Sequence, residues 1–247
     1  MIATAATITM NVLANALPLN GQPTGAISDR FPVLVTPAGY VFSIWGVIYL
    51  GLIGYTIYQA LPAQRANARL AAVAPLYMLS CAANIVWLLL WHYNFFTFTQ
   101  FAMVGLLVAL IAVWLRLDRG TQGLERWLVN LPFSIYLGWI SVATIVNTTV
   151  VLYNLGLRSE TFGISEQLLT AVLLLVGAGL ALRMALSFKD IAYALVIAWA
   201  FAGIALKHAD TTLLAPFAWV MVAIIVIGVI GSVWRGGGGA RQLAVNQ

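Results

Sequence analysis

Eight apolar stretches, each close to the ~20 residues a helix needs to cross a bilayer, leave this 247-residue chain little room to be anything but a bundle of membrane helices. They lie at roughly 2–19, 38–60, 71–92, 97–116, 126–154, 167–187, 190–207 and 213–234. No charged residue stands near the middle of any of them. Arg183, Lys189, Asp190 and Lys207 fall at ends, where long side chains reach the interface. The first stretch is the weakest, because Asn11, Asn15 and Pro18 interrupt it. Charged residues make up 8% of the chain, against the ~25% of a soluble domain, and mean hydropathy is +0.97. The connections are too short for a soluble domain. The expected fold class is therefore all-α, a polytopic helical bundle of about eight spans, followed by a flexible cytoplasmic tail at 236–247 that opens on four glycines.

The net charge of +5 does not mark a nucleic-acid binder, because the basic residues are scattered singly among the loops. They are better read as orientation signals. In an eight-span layout nine of the twelve Lys and Arg fall on the side of the N-terminus: Arg65, Arg69, Arg116, Arg119, Arg126, Arg183, Lys189, Arg235 and Arg241. Arg30, Arg158 and Lys207 fall on the other, which places both termini in the cytoplasm by the positive-inside rule. The N-terminus has no positively charged n-region and does not read as a cleaved signal peptide. A single cysteine, Cys81, excludes an internal disulfide framework and a Cys-based metal cluster.

Within the spans, large aromatics and small polar residues recur at helical spacing. Pro132, Tyr136, Trp139, Ala143, Asn147, Val150 and Asn154 follow steps of three or four and share one face, with Leu, Ile, Val and Thr opposite. Tyr77, Ser80, Asn84, Trp87 and Trp91 form a second such stripe, and Phe42, Trp45, Tyr49, Leu52 and Thr56 a third. A side-chain amide in an apolar medium costs a kcal/mol or more unless something satisfies it, so these faces should meet protein, a cavity or a ligand. Converging, they would line a pocket for a planar, largely apolar molecule with polar edges. Two plainer readings stand beside this one. Trp and Tyr anchor spans at the interface, for which Trp91 and Tyr93 are the best placed, and intramembrane Asn often bonds a neighbouring helix. Anchoring explains Trp139 and Asn147 least well, since both lie deep in a span.

Three motifs resemble the TspO/MBR family, the tryptophan-rich sensory proteins related to the peripheral benzodiazepine receptor. TPAGYVFSIWGVIY places Pro37, Trp45 and Tyr49 like the family's proline-rich first loop followed by Trp and Tyr four apart. Asn84-Ile-Val-Trp87 is similar to the Asn-x-x-Trp of its third helix. Tyr136-x-x-Trp139-x-x-x-Ala143-x-x-x-Asn147 is similar to the pattern of its fifth. The resemblance covers roughly residues 1–155, a five-helix core, and leaves 156–235, about three further helices, without a counterpart: a distant, extended member. It implies a cavity beneath the first loop that binds tetrapyrroles such as protoporphyrin or haem, and sterols in some members. The positions carried over to that cavity are Pro37, Trp45, Tyr49, Asn84, Trp87, Tyr136, Trp139, Ala143 and Asn147, and family members are often homodimers. No tightly bound cofactor is implied, and no catalytic tryptophan is carried over.

These readings favour a receptor, sensor or carrier for a small hydrophobic ligand, with membrane lipid as its surroundings and no nucleic-acid partner. In this reading Trp45, Trp87 and Trp139 stack on the ligand, Tyr49, Asn84, Tyr136 and Asn147 bond its edges, and the segment at 20–37 is a lid. The alternative is a secondary transporter or permease for an uncharged substrate; the lack of ionisable residues deep in the spans argues against proton coupling. An enzyme is disfavoured: no span carries His with carboxylates, and His92 and His208 are expected at the interface, bonded to water or headgroups. Lys207 lies at a span end, not at the midplane where a retinal Schiff base would sit.

Overall fold

Three of the apolar helices begin on a side-chain cap that the sequence supplies locally. Asn67 accepts from the N–H groups of Arg69 and Leu70, Ser165 from Leu168, and Asp190 from Tyr193. The computed structural model describes residues 1–17, 19–117 and 120–245, without the side chains of 162 and of 235 onward. Pro18, Arg119 and the side chains of the expected tail thus lie outside the described residues. Nine α-helices are described: α1 (Ile2–Ala16), α2 (Thr24–Ser28), α3 (Ile44–Ala60), α4 (Ala68–His92), α5 (Phe96–Arg116), α6 (Leu131–Asn154), α7 (Glu166–Phe188), α8 (Ile191–Lys207) and α9 (Leu214–Val245). The all-α expectation holds among the described residues.

Eight of these helices occupy the eight apolar stretches, and α2 is the short extra turn inside the first loop. Six are long and apolar enough to cross a membrane; α1 and α8, with 15 and 17 residues, are shorter than the usual span. A π-helical turn at Arg126–Asn130 runs without a break into α6, and Pro132 sits at the start of that helix, where the π-helical turn gives way to regular α-helix.

The order of packing follows from which faces are buried. Helix α1 lies on α4 and α3, α4 on α5, and α5 on α6, while α3 packs across α6. Helices α7, α8 and α9 pack on one another, and α8 joins them to α6. With its π-helical turn, α6 is the most buried of the six long spans, 56% against 28–39% for the others. Both of its faces are covered, so the Leu, Ile and Val side meets helices rather than lipid over much of its length. Gly138 makes the junction with α8 possible. A Cβ there would stand 3.1 Å from the Tyr193 carbonyl oxygen and from the Val196 side chain.

Two expectations about span ends are corrected. Asp190 does not reach the interface: it is buried, and its Oδ2 accepts from Trp114 Nε1 and Ser134 Oγ, each at 2.7 Å. One carboxylate thereby ties α5 and α6 to the start of α8. His92 is also buried, with Nε2 paired to Thr24 Oγ1 and Nδ1 to the Leu19 carbonyl oxygen, each at 3.0 Å. It is a clamp on the first loop, not an interface residue.

Candidate functional site

The stripes on α3, α4 and α6 converge beneath the first loop, where they enclose a cavity. Its walls include Phe42, Trp45, Trp87, Trp91, Trp139 and Met103, and the loop contributes Thr24, Ser28 and Pro37. Seven of the nine expected residues line it: Pro37, Trp45, Asn84, Trp87, Trp139, Ala143 and Asn147. Tyr49 and Tyr136 stand behind the wall. Trp45 stacks on Tyr49 with ring centroids 5.5 Å apart and meets Tyr136 edge-on at 5.9 Å.

The polar groups around the cavity are largely committed to one another. Asn84 Oδ1 accepts from Asn11 Nδ2 at 2.7 Å, and Asn84 Nδ2 donates to Tyr136 Oη at 3.2 Å. Asn147 Oδ1 accepts from Trp87 Nε1 and Thr99 Oγ1, each at 2.9 Å, and its Nδ2 donates to Gln100 Oε1 at 2.8 Å. The two stripe asparagines therefore join α1, α4, α5 and α6, the role of interhelical glue. Further down the bundle, Thr4 Oγ1 bonds Thr56 Oγ1 at 2.7 Å and Tyr77 Oη at 2.8 Å.

Two groups on the wall are left over. Trp139 Nε1 and Ser28 Oγ are buried and have no hydrogen-bond partner among the described residues. They come from α6 and from α2, the cavity's side and its roof. Orphan buried donors are uncommon, and each costs about 1–3 kcal/mol. A molecule offering acceptors to both would relieve that cost.

The roof is held from two directions. From α4, the Trp91 indole N–H donates to the Thr24 carbonyl at 3.2 Å, His92 clamps Thr24 and Leu19, and Asn20 Nδ2 donates to the His92 carbonyl at 2.9 Å. Phe31 packs edge-on against Phe96 at 5.0 Å and Tyr153 at 6.1 Å. From the other side, Glu166 of α7 accepts the Leu34 N–H at 2.8 Å and Trp199 of α8 donates to the Val41 carbonyl at 3.2 Å. Lys207 pairs with Asp29 at 2.6 Å, and the Ala38 N–H reaches the Gly203 carbonyl at 3.1 Å. Gly203 must be small there, since a Cβ would lie 2.1 Å from Val41 Cγ2.

Closed in this way, the cavity holds about 40 Å³ of free volume, room for about two or three waters and far below the ~300–1,000 Å³ of small-molecule sites. A tetrapyrrole does not fit with the roof in place. Among the described residues no His or Cys lines the cavity, so these offer no such axial ligand to haem iron. Among the described residues no group of three or more His, Cys, Asp and Glu could hold a metal ion.

Trp91, expected in an interface belt, is instead buried, stacked on Trp87 at 5.4 Å and part of the cavity wall. Tyr93, expected in the same belt, is exposed. Helix α1 takes a part in this network that its interrupted sequence does not announce. Thr4, Thr7, Asn11 and Ala14 are its buried face, at the same three- and four-residue spacing as the aromatic stripes but without a bulky aromatic to mark it.

No curated protein and no solved structure matches the chain. A family model does, over residues 1–231, which takes in the helices after 155 as well as the five-helix portion that carries the motifs. With its six long apolar helices the molecule is an integral, multi-pass membrane protein, and it belongs to the TSPO-like protein family.

Proposed function

We propose that this protein binds a planar hydrophobic molecule in the cavity beneath the first loop, as a receptor, sensor or carrier and not as an enzyme. The observation that carries this reading is the pair of unpartnered groups, Trp139 Nε1 and Ser28 Oγ, on the wall of a closed aromatic cavity. Structural glue accounts for Asn84 and Asn147 but not for these two. The ligand would slide against the faces of Trp45 and Trp139, with an acceptor edge between the indole N–H and the serine hydroxyl. Tyr49 and Tyr136 would shape the wall from behind, not bond the ligand directly. A molecule of two or three fused rings needs a modest outward shift of α2, whereas a tetrapyrrole needs the whole segment from Asn20 to Pro37 displaced. Both termini on the cytoplasmic side would place this lid on the opposite face of the membrane.

The test is a titration of purified protein in detergent, following tryptophan fluorescence, with protoporphyrin IX and with a two- or three-ring aromatic heterocycle in parallel. Saturable quenching at micromolar ligand, weakened about tenfold in both Trp139→Phe and Ser28→Ala, is the expected result. Saturation that neither variant alters would remove the two groups from the site. No saturation with either compound would overturn the reading.

A further inference from the structure

A second cavity lies on the other side of α6, between that helix and α7, and it is much larger. Its volume is about 450 Å³, within the ~300–1,000 Å³ of ligand sites. Thr144, Ile145, Thr148 and Thr149 form one wall, and Leu169 and Leu173 the other. The threonines look polar in the sequence but present little polarity to the groove. Their hydroxyls donate back to the carbonyls of Ile140, Thr144 and Ile145, at 2.7, 2.7 and 3.0 Å, and Thr148 Oγ1 also accepts from Gln100 Nε2 of α5 at 3.0 Å, so the hydroxyls are committed away from the groove. What remains is a wall of methyl groups suited to a hydrocarbon chain.

The mouth of the groove differs sharply from its floor. Arg158, Glu160 and Glu166 rim it, with Pro32 and Val33 of the lid above. The Arg158 guanidinium rests on the Tyr153 ring at 4.4 Å and makes no ion pair among the described residues. Glu166 spends one oxygen on the Leu34 N–H, while Glu160 makes no side-chain ion pair among the described residues. An uncommitted cation and an uncommitted carboxylate, two residues apart over an apolar slot, complement a headgroup that carries both charges.

We infer that this groove is a binding site for a single glycerophospholipid with a zwitterionic headgroup. Its phosphate would lie against Arg158, its ammonium against Glu160, and one acyl chain between α6 and α7. The carboxylates disfavour a purely anionic headgroup, because two acids and one base leave the rim net negative. The groove shares no lining residue with the aromatic cavity: Ala143 and Asn147 face the cavity and Thr144 and Thr148 the groove, on adjoining faces of α6, with Gln100 bonded to both Asn147 and Thr148.

The experiment is native mass spectrometry of the full chain, delipidated in detergent and titrated with dioleoyl-phosphatidylethanolamine or dioleoyl-phosphatidylglycerol. One phosphatidylethanolamine should be retained and saturate, several-fold ahead of phosphatidylglycerol. Arg158→Gln, at an exposed position, and Leu169→Trp, which fills the slot, should each weaken retention roughly tenfold. Phe101→Trp, on the exposed face of α5, should leave it unchanged. Several lipids retained without saturation, indifferent to both variants, would mean ordinary annular lipid and overturn the inference. Equal retention of phosphatidylglycerol would overturn the zwitterionic assignment. Displacement by millimolar phosphoethanolamine alone would show that the acyl chain contributes nothing. If Leu169→Trp does not fold, Arg158→Gln decides alone.

Discussion

The two halves of the bundle are held together by different means. Helices α1, α3, α4, α5 and α6 are joined by side-chain hydrogen bonds, Thr4 with Thr56 and Tyr77, Asn84 with Asn11 and Tyr136, Asn147 with Trp87, Thr99 and Gln100. Helices α7, α8 and α9 rely mainly on close approach, beside a buried bond from Ser232 Oγ of α9 to the Ala185 carbonyl of α7 at 2.6 Å. Gly177 meets Phe201, Gly228 meets Leu182, and the buried faces are rich in alanine, including Ala178, Ala181, Ala185, Ala194 and Ala200. In lipid, apolar burial gives little drive for one helix to join another, so polar glue and small-residue packing are the two available solutions. Polar glue fixes directions and leaves specific donors over, as at Trp139. Small-residue packing makes a stiff backing, from which Glu166, Trp199 and Lys207 reach the lid.

That contrast is sharpest at glycine. Gly138→Leu forces a side chain against the α8 backbone at Tyr193, which cannot move aside, and should destabilise by about 3 kcal/mol. In a chain of this size that is a fall of roughly 6–12 °C in thermal midpoint, readable by differential scanning fluorimetry in detergent. Gly228→Ala meets only the far end of Leu182, at 2.3 Å from Cδ2, and that side chain can rotate away. It should cost under about 1 kcal/mol. Equal losses in the two variants would mean that backbone approach at the α6–α8 junction is not what holds the halves together.

The polar half breaks differently. Asn147→Ala leaves Trp87 Nε1, Thr99 Oγ1 and Gln100 Oε1 without the partner they share. The expected loss is about 1–2 kcal/mol, since membrane hydrogen bonds average less than their number implies. Asn147→Asp is the sharper variant, because it keeps the single oxygen that accepts from both Trp87 and Thr99, while its second oxygen, as a neutral acid, can donate to Gln100 Oε1 in place of the amide. It should retain Trp87 and Thr99 and recover part of the midpoint. A loss in Asn147→Ala below that of Gly228→Ala would leave polar glue as a poor account of this half.

The outline of the fold was legible because a bilayer demands long uncharged helices and little else disguises them. The site was legible where a stripe of bulky aromatics coincided with a helix face, so seven of nine residues do line the cavity. Tyr49 and Tyr136 share those stripes but are screened by Trp45, and periodicity cannot tell a wall from the layer behind it. His92 and Asp190 were misplaced because a polar residue at a span end reads as interfacial unless what covers it is known, the first loop over His92 and the α5 and α6 side chains of Trp114 and Ser134 over Asp190. The lid's dependence on α7 and α8 was illegible, since Leu34 and Glu166 stand 132 positions apart and no local pattern couples them.

The smallest effects lie where the two halves touch the lid. Lys207 and Asp29 form a partly exposed pair, and Lys207→Gln should loosen the lid by well under about 1 kcal/mol, with most of that lost in high salt. His208 follows directly after α8. Burial first, and the Lys207 charge second, hold its pKa below the usual 6.5, while the backbone of Thr36 and Leu34 beside it pulls the other way. Closed, the lid therefore favours neutral His208; opened to water, the ring regains its ordinary affinity for protons. The closed state is fully favoured above about pH 6.5, and that advantage is lost as the pH falls through and below this value. Amide hydrogen exchange over residues 24–36, corrected for the intrinsic pH dependence, should show opening rise by about twofold or less between pH 7.5 and 5.5. His208→Gln should abolish that rise and leave the Lys207→Gln effect in place. A rise that survives in His208→Gln would assign the acid sensitivity to another group and leave the latch to the lysine alone.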